Sequence, residues 1–360
     1  MANPRPILAV VNSRPAGDGV GFAGLLLARA LAEIGGQAPR IIALDPATPG
    51  RVTRREQLAF LSRLTLAQRV PPTLPVVFNH VGIARAQLRV PAPVRRPYAV
   101  FLHGIEVWDP GLDAGRMAAI RRASVRLSNS HFTARRVAEV HPDIGSINAC
   151  PLALFPECAP TNAANVSEAD RFFAEENAPS VVIVGRMTST ERYKGHDELI
   201  ECWPSVRIRV PQARLIIVGR GDDVVRLQAK VASAGLGDAV VFTGFVADGA
   251  MRQILTRSNV FAMPSRGEGF GLAYLEAMRC GLPCIGSDAD AASEVISDGY
   301  TGRIVRASDI SALAAAIAGL LEQPTMARAM GERGRIRERE VFSFSSFRER
   351  VALAFSGVQV

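Results

Sequence analysis

The sequence lacks any apolar run close to the roughly 18 residues of a membrane-spanning helix. Its first residues, MANPRPILAVVNSRP, hold too short an apolar stretch for a signal peptide and predict a first strand instead. The cysteines form neither a disulfide framework nor a metal-ligand spacing, so we expect free thiols and a cytoplasmic protein. They are Cys150, Cys158, Cys202, Cys280 and Cys284.

Aromatic residues are also few, at 6%, and no basic tract is interleaved with them. Zinc-finger spacing is missing too, so nucleic acid is not expected as a partner. The net charge is nevertheless +8, carried by scattered and mostly arginine side chains. An anionic ligand and an anionic membrane surface are both consistent with that charge.

The length of 360 residues, with 48% hydrophobic and 21% charged residues, predicts a globular protein of two domains. Short apolar runs alternate with helical segments in both halves, which predicts an α/β fold of two doubly wound parallel sheets. We expect domains at 1–160 and 179–341, a linker at 161–178, and a C-terminal helix within 342–360. The predicted strands are 7–11, 41–44, 76–78, 98–102 and 125–127, then 181–184, 215–218, 240–242, 260–263 and 284–286.

Glycines after the first strand and an acid at the end of the second suggest a dinucleotide-binding fold. However, Gly17-Asp18-Gly19-Val20-Gly21 lacks the G-x-G-x-x-G spacing and begins six residues after the strand. The tight turn that this fingerprint needs is absent, so nicotinamide binding is not expected. We predict a turn over residues 15–21 and a helix over 22–34.

A glycine-rich turn containing Gly267, Gly269 and Gly271 separates a predicted strand from a helix that opens at about Leu272. The first N–H groups of a helix have no intrahelical partner and lie at the positive end of its dipole, so they suit a phosphate. Glu268 and Glu276 flank the turn and could hold hydroxyl groups of the same ligand. The alternative is an ordinary loop that closes an α/β unit, with Glu276 on a solvated helix face.

Two cations follow the first strand of the second half. Arg186 offers a bidentate fork and Lys194 a point charge, and together they could neutralise a diphosphate. The alternative is a pair of solvated surface cations. A second glycine corner, Gly219-Arg220-Gly221, follows the next strand, and Glu294 could cap a helix or contact a ligand hydroxyl.

Three further features admit both a structural and a functional interpretation. The segment 51–70 is a basic amphipathic helix that could lie on anionic lipid or be a solvated surface helix. His103 follows a strand at its carboxyl end, where α/β folds place ligand contacts. Asp288 and Asp290 match a metal-binding D-x-D, but acids are common in turns and no metal is expected.

In this order, the motifs resemble those of the retaining GT-B glycosyltransferases of family 4, over nearly the whole chain. The pair Glu268 and Glu276, in an E-x7-E spacing, combined with GR…KG, is the most specific part. The matching segments are HGIE at 103–106, GRMTSTERYKG at 185–195, IIVGRG at 216–221, VVFTGFV at 240–246, PSRGEGFGLAYLEAM at 264–278 and the glutamate at 294.

The resemblance implies two Rossmann-like domains facing across a cleft, with the C-terminal helix returning to the first domain. It implies that Arg186 and Lys194 stabilise the leaving diphosphate, that Glu268 contacts the sugar and that Glu276 contacts the ribose. His103 would reach the sugar from the first domain. The remaining donor-binding residues that it implies are Gly19, Gly21, Gly185, Gly219, Phe270, Gly271, Leu272 and Glu294.

The implied reaction is a retaining, metal-independent transfer of a hexosyl group from a UDP- or GDP-sugar to a glycan or lipid-linked hydroxyl. No cofactor is expected, and the protein would work in the cytoplasm, with the membrane surface as a further partner. Two departures from the family are the insertion TSTERY and the Ala291-Ala292-Ser293 segment, where glycines are usual. A nucleotide-sugar epimerase and a non-catalytic transferase partner are the alternatives.

Overall fold

A computed structural model describes residues 4–12, 19–47, 51–156, 168–173 and 178–358 of the protein. The chain divides into two compact units, Met1–Ala153 with Phe344–Val360 and Leu154–Ser343. Most of the predicted linker, Cys158 and part of the predicted glycine turn (residues 15–18) lie outside the described residues. The other four cysteines are free thiols.

The sheet of the first unit consists of β1 (Ile7–Val10), β2 (Arg40–Ala43), β3 (Val76–Phe78), β4 (Tyr98–Leu102), β5 (Val125–Ser128) and β6 (Asn148–Ala149). The strands are all parallel, in the order β2-β1-β3-β4-β5-β6. β1 and β4 are buried along their whole length, as expected of a parallel sheet covered on both faces. The apolar runs predict β1 to β5 but not the two-residue β6.

The described helices of the first unit before its return segment are α1 (Gly19–Gly35), α2 (Arg54–Ala67), α3 (Val81–Ala84), α4 (Ile105–Trp108), α5 (Ala114–Arg121) and α6 (His131–Val140). The helix predicted within 51–70 is confirmed as α2. It begins with a capping box, in which Thr53 accepts the Glu56 N–H at 3.3 Å and Glu56 accepts the Thr53 N–H at 2.6 Å.

The predicted start of the first helix is wrong by three residues. Gly19 and Gly21 lie in the first turn of α1, not in the turn before it. A glycine costs about 1 kcal/mol in a helix, but the buried face that includes Leu26, Leu27 and Leu31 stabilises α1 through packing. The packing therefore overrides the glycines that the sequence analysis interprets as a turn.

The second unit has a sheet of β7 (Ser180–Val184), β8 (Arg214–Val218), β9 (Val240–Gly244), β10 (Val260–Ala262), β11 (Cys284–Ser287) and β12 (Gly302–Val305). These strands are also parallel, in the order β12-β11-β10-β7-β8-β9. β12 is not predicted because its sequence, GRIV, has no apolar run. Gly302 is needed there, since a Cβ would lie 1.9 Å from the Cys284 carbonyl oxygen.

The later described helices are α7 (His196–Arg209), α8 (Val224–Ser233), α9 (Asp248–Arg257), α10 (Leu272–Arg279), α11 (Ala292–Val295), α12 (Ile310–Glu322), α13 (Pro324–Val341) and α14 (Phe344–Phe355). No single helix in the described ranges is long and apolar enough to cross a membrane. One bent pair, Ile310–Glu322 with Pro324–Phe355, meets that test by length and composition only.

The last helix, α14, belongs to the first unit, as the return of the C-terminal helix predicts. Arg348 on α14 forms an ion pair with Glu33 on α1 at 2.9 Å. The guanidinium of Arg29, also on α1, lies 4.7 Å from the centre of the Phe344 ring. These contacts hold α14 against α1.

Candidate active site

The candidate site lies where β7, β8, β10 and β11 end. Because the strands are parallel, the loops that follow them meet at one edge of the second sheet, here called the carboxyl edge. It comprises residues 185–195, 219–221, 264–272 and 288–294. Most of the predicted donor-binding residues lie on these four loops.

The first two loops of the carboxyl edge pack backbone against backbone at their glycines. A Cβ on Gly219, whose φ is +139°, would lie 2.0 Å from the Gly185 carbonyl oxygen, and one on Gly221 would lie 1.8 Å from that of Met187. The Met187 N–H donates to the Arg220 carbonyl at 3.0 Å. Only glycine allows the two corners to form this single surface.

Lys194 and Glu268 form a direct ion pair on the carboxyl edge, with Lys194 Nζ 2.5 Å from Glu268 Oε1. Their side chains are only 14% and 17% exposed. Burial opposes the charge on Lys194, but attraction to Glu268 and their hydrogen bond outweigh it, so the pKa of Lys194 is raised. The site therefore keeps a fixed positive charge at neutral pH.

Arg186 has a different partner. Its guanidinium forms an ion pair with Glu191, and the side chain remains 55% exposed. Glu191 belongs to the segment between the two cations that departs from the family pattern. Arg186 and Lys194 are therefore each paired with a separate carboxylate, and their joint binding of a diphosphate stays a prediction.

Tyr193 connects the two ion pairs with the glycine turn. Its half-buried phenol interacts electrostatically with Lys194, Glu268, Glu191 and Arg186, and partial burial raises the pKa of Tyr193. The ring also packs so closely under the turn that a Cβ on Gly267 would lie 2.8 Å from it. The sequence analysis assigns no role to Tyr193, although its position beside Lys194 could have indicated one.

The glycine turn leads into α10 as predicted. Gly271 has a φ of +90° and is followed directly by Leu272, the first residue of the helix. Phe270 turns its side chain into the core against Phe342, with ring centroids 5.7 Å apart. The side chain of Phe270 is therefore turned away from the helix start, which is suited to a phosphate. Contact of the Phe270 to Leu272 backbone with a ligand stays a prediction.

Glu276 lies one to two turns into α10 and is half-buried, so the alternative of a solvated helix face does not fit it. Burial, and repulsion from Asp248, raise the pKa of Glu276 to about 7, with Arg279 acting in the opposite direction. Among the described residues, no group donates a hydrogen bond to its carboxylate. A carboxylate kept without a partner is suited to accept ligand hydroxyls.

The turn after β11 completes the edge. Glu294 is a half-buried residue of α11, and Arg337 donates to its carbonyl at 2.9 Å. Asp288 accepts the Ala307 N–H at 2.8 Å, and Asp290 accepts the N–H groups of Glu268 and Ala292. Both acids of the D-x-D therefore accept hydrogen bonds from backbone N–H groups. Within the described ranges, no three His, Cys, Asp or Glu side chains are grouped to hold a metal ion.

His103 lies in the first unit, at the carboxyl end of β4 as predicted. Its Nε2 is 2.5 Å from the Asn79 carbonyl oxygen, its own carbonyl accepts from Asn129 at 2.6 Å, and it is 9% exposed. Its ring packs against Phe101, 5.1 Å away. The contact of His103 with a sugar, like those of Gly19 and Gly21 with a diphosphate, stays a prediction.

The protein-family model for "Glycosyl transferases group 1" matches residues 167–337, which include the whole carboxyl edge. Residues 167–337 are a group 1 glycosyltransferase domain.

Named mannosyltransferases are similar to part of the chain. A GDP-mannose-dependent alpha-(1-6)-phosphatidylinositol monomannoside mannosyltransferase of Mycolicibacterium smegmatis is 33% identical over 65% of this chain, which spans 63% of that relative. The lipopolysaccharide core biosynthesis mannosyltransferase LpcC of Rhizobium leguminosarum bv. viciae is 35% identical over 44% of this chain and 46% of its own length.

Solved structures show that the chain has the GT-B fold. Anabaena HepE, in complex with UDP and glucose, has a TM-score of 0.77 and 19% identity, covering 98% of this chain and all of that one. Sucrose-phosphate synthase from Thermosynechococcus elongatus has a TM-score of 0.76 and 22% identity, covering 98% of both chains. The two predicted parallel sheets of this fold are confirmed.

Proposed function

We propose that the protein is a retaining hexosyltransferase that transfers a sugar from a nucleotide diphosphate donor to a hydroxyl group of a lipid-linked or glycan acceptor. The observation that carries the proposal is the partly buried Lys194–Glu268 pair beside the helix start at Gly271 and Leu272. It provides a fixed cation, a carboxylate and free N–H groups within one edge of the sheet. GDP-mannose and UDP-glucose are the first donors to test, because the named relatives and neighbours use or bind such nucleotides.

In the proposed mechanism, Lys194 stabilises the negative charge of the departing nucleotide, together with Arg186 and the dipole of α10. These groups stabilise negative charge that develops as the bond between sugar and diphosphate breaks. The departing phosphate oxygen takes the proton of the acceptor hydroxyl, and the acceptor oxygen attacks the same face of the sugar. Glu268 orients the sugar, and Glu276 accepts hydrogen bonds from the ribose hydroxyls.

The proposed reaction needs no bound metal, because the cations and the helix start supply positive charge where the diphosphate would lie. The nucleotide-sugar is a substrate, and we propose no resident cofactor. A cytoplasmic location, in contact with the membrane that holds the acceptor, fits the donor class.

Helix α2 supports the proposed contact with the membrane surface. Leu58 and Leu66 are 63% and 54% exposed on the face opposite to the buried Phe60 and Leu64. Arg54 and Arg55 are exposed in the first turn of α2, and Arg69 is exposed just beyond its end. Basic side chains around exposed leucines favour binding to anionic lipid.

Thermal stabilisation by nucleotide-sugars tests the proposed donor site. We expect one UDP- or GDP-sugar to raise the melting temperature of the protein, since a ligand that binds only the native state stabilises it by mass action. Proton NMR of the product should then show retention at the anomeric carbon. Formation of a donor epimer without an acceptor would indicate the epimerase instead, and stabilisation without any turnover would indicate the non-catalytic partner.

A further inference from the structure

Asp290 is a fully buried acid in the turn between β11 and α11. Its Oδ2 accepts the Glu268 N–H at 2.9 Å, and its Oδ1 accepts the Ala292 N–H at 2.9 Å. The N–H of the next residue, Ala291, donates to the Glu268 carbonyl at 3.2 Å. Both polar groups of the Glu268 backbone are thus held by the turn that contains Asp290.

These bonds restrain the backbone of Glu268. It lies between Gly267 and Gly269, and glycine leaves the backbone with more conformational freedom than any other residue. A glutamate in such a flexible segment would move unless the rest of the fold fixed it. The contacts from Asp290 and Ala291 provide that restraint, and they keep the Glu268 carboxylate on Lys194.

We propose that Asp290 is a positioning residue, which holds Glu268 against Lys194 and thereby sets the geometry of the sugar and diphosphate contacts. This proposal rests on the proposed function. The position is unfavourable for a charged carboxylate. Burial, which is the larger cause, and repulsion from Glu268 raise the pKa of Asp290 to about 7. The Tyr274 phenol is a further titratable group that interacts with it. Such a buried acid is consistent with a role in the site.

Asp288 provides a matched control. It is in the same turn, two residues earlier, and also accepts a backbone N–H, that of Ala307 at 2.8 Å. However, it is exposed and does not bind the Glu268 backbone. Asp288→Asn and Asp290→Asn therefore make the same chemical change in the same loop. Only the second leaves a single acceptor oxygen for the N–H groups of Glu268 and Ala292.

A double-mutant cycle tests the proposal through activity. We expect Asp290→Asn to lower kcat/KM by about 10- to 100-fold, since a small misplacement in an active site can have an effect of that size. In a Glu268→Gln background the same substitution should have little effect, because Asp290 acts through Glu268. Equal losses in both backgrounds, or an equal loss from Asp288→Asn, would overturn the proposal.

A second measurement does not require activity. Lys194 and Lys230 are the only lysines in the sequence, so in a Lys230→Arg protein Lys194 is the only lysine side chain. We expect Asp290→Asn to increase the rate of Lys194 acylation several-fold, because Glu268, once released, shields the lysine less. Mass spectrometry measures this rate. Asp288→Asn should leave that rate unchanged. An unchanged acylation rate in Asp290→Asn would contradict the proposal. Failure of Asp290→Asn to fold even at low temperature would also contradict it, because the role of Asp290 would then not be confined to the site.

These two measurements separate the inference from the proposed function. A parent protein that turns over no nucleotide-sugar would contradict the proposed function, while the acylation rate would still decide whether Asp290 holds Glu268. A parent protein that is active, with an unchanged acylation rate in Asp290→Asn, would contradict the inference alone.

Discussion

Replacing Glu276 with glutamine should stabilise the protein at alkaline pH while it weakens donor binding. The pKa of this half-buried carboxyl is raised from 4.5 to about 7, so the native state binds its proton more tightly than the unfolded chain does. Stability from this group is complete below the unfolded pKa and is lost as the pH rises towards 7. The loss amounts to at most about 3 kcal/mol, from 1.36 kcal/mol for each pKa unit.

Glu276→Gln removes the titration and should remove that loss. In a unit of this size, 1 kcal/mol corresponds to about 2–4 °C in melting temperature. We therefore expect the variant to melt up to about 12 °C above the parent at pH 8 and at the same temperature at pH 4.5. Differential scanning fluorimetry across this range measures the effect. The matched control is Glu340→Gln, since Glu340 is exposed on α13.

The same substitution should weaken binding of the donor. Hydrogen bonds from hydroxyls to a charged group contribute about 1.5–3 kcal/mol each, so the loss of one should raise the donor Kd about 10- to 100-fold. Calorimetric titration with the stabilising nucleotide-sugar measures this. Equal pH profiles for Glu276→Gln and Glu340→Gln would refute the stability argument, and an unchanged Kd would refute the role in ribose binding.

Three other predictions follow from the site and from α2. Transfer should survive exhaustive EDTA treatment, and a loss that magnesium restores would contradict the metal-independent mechanism. Leu58→Ser with Leu66→Ser should abolish flotation with anionic liposomes at low salt, whereas a parent protein that does not float would remove the membrane proposal. Gly219→Ala should lower stability by at least about 2 kcal/mol, seen as a lower melting temperature, because its Cβ would meet the Gly185 carbonyl. Gly237→Ala, with nothing within 4 Å, is its neutral control.

The sequence predicts most of the fold because the buried strands of parallel sheets are continuous apolar runs. β1 and β4 are clear for that reason. β12 is not predicted because it begins with Gly302, which is required for steric reasons and does not extend an apolar run. The start of α1 is misplaced because local propensity favours a turn at Gly19 and Gly21, while tertiary packing favours the helix.

The sequence predicts residues of the candidate site but not the ion pairs that they form. The spacing and the family resemblance identify Lys194 and Glu268, yet neither indicates that the two side chains contact each other across 74 positions. Asp290 has the pattern of an ordinary turn acid, because a pattern cannot distinguish an exposed carboxylate from a buried one. Glu191 lies in a segment that departs from the family pattern, so no motif assigns it to Arg186.

The central claim is tested most directly by comparing Lys194→Ala with Lys230→Ala. The assay measures the release of nucleotide from GDP-mannose and UDP-glucose, with a lipid extract as acceptor. Lys230 pairs with Asp197 and Glu201, away from the carboxyl edge. We expect release from one donor to fall about 10²- to 10³-fold in Lys194→Ala, as it does when a group that stabilises a charged transition state is removed, and to stay close to the parent rate in Lys230→Ala. Equal rates for the two variants, or no release by the parent protein, would contradict the account.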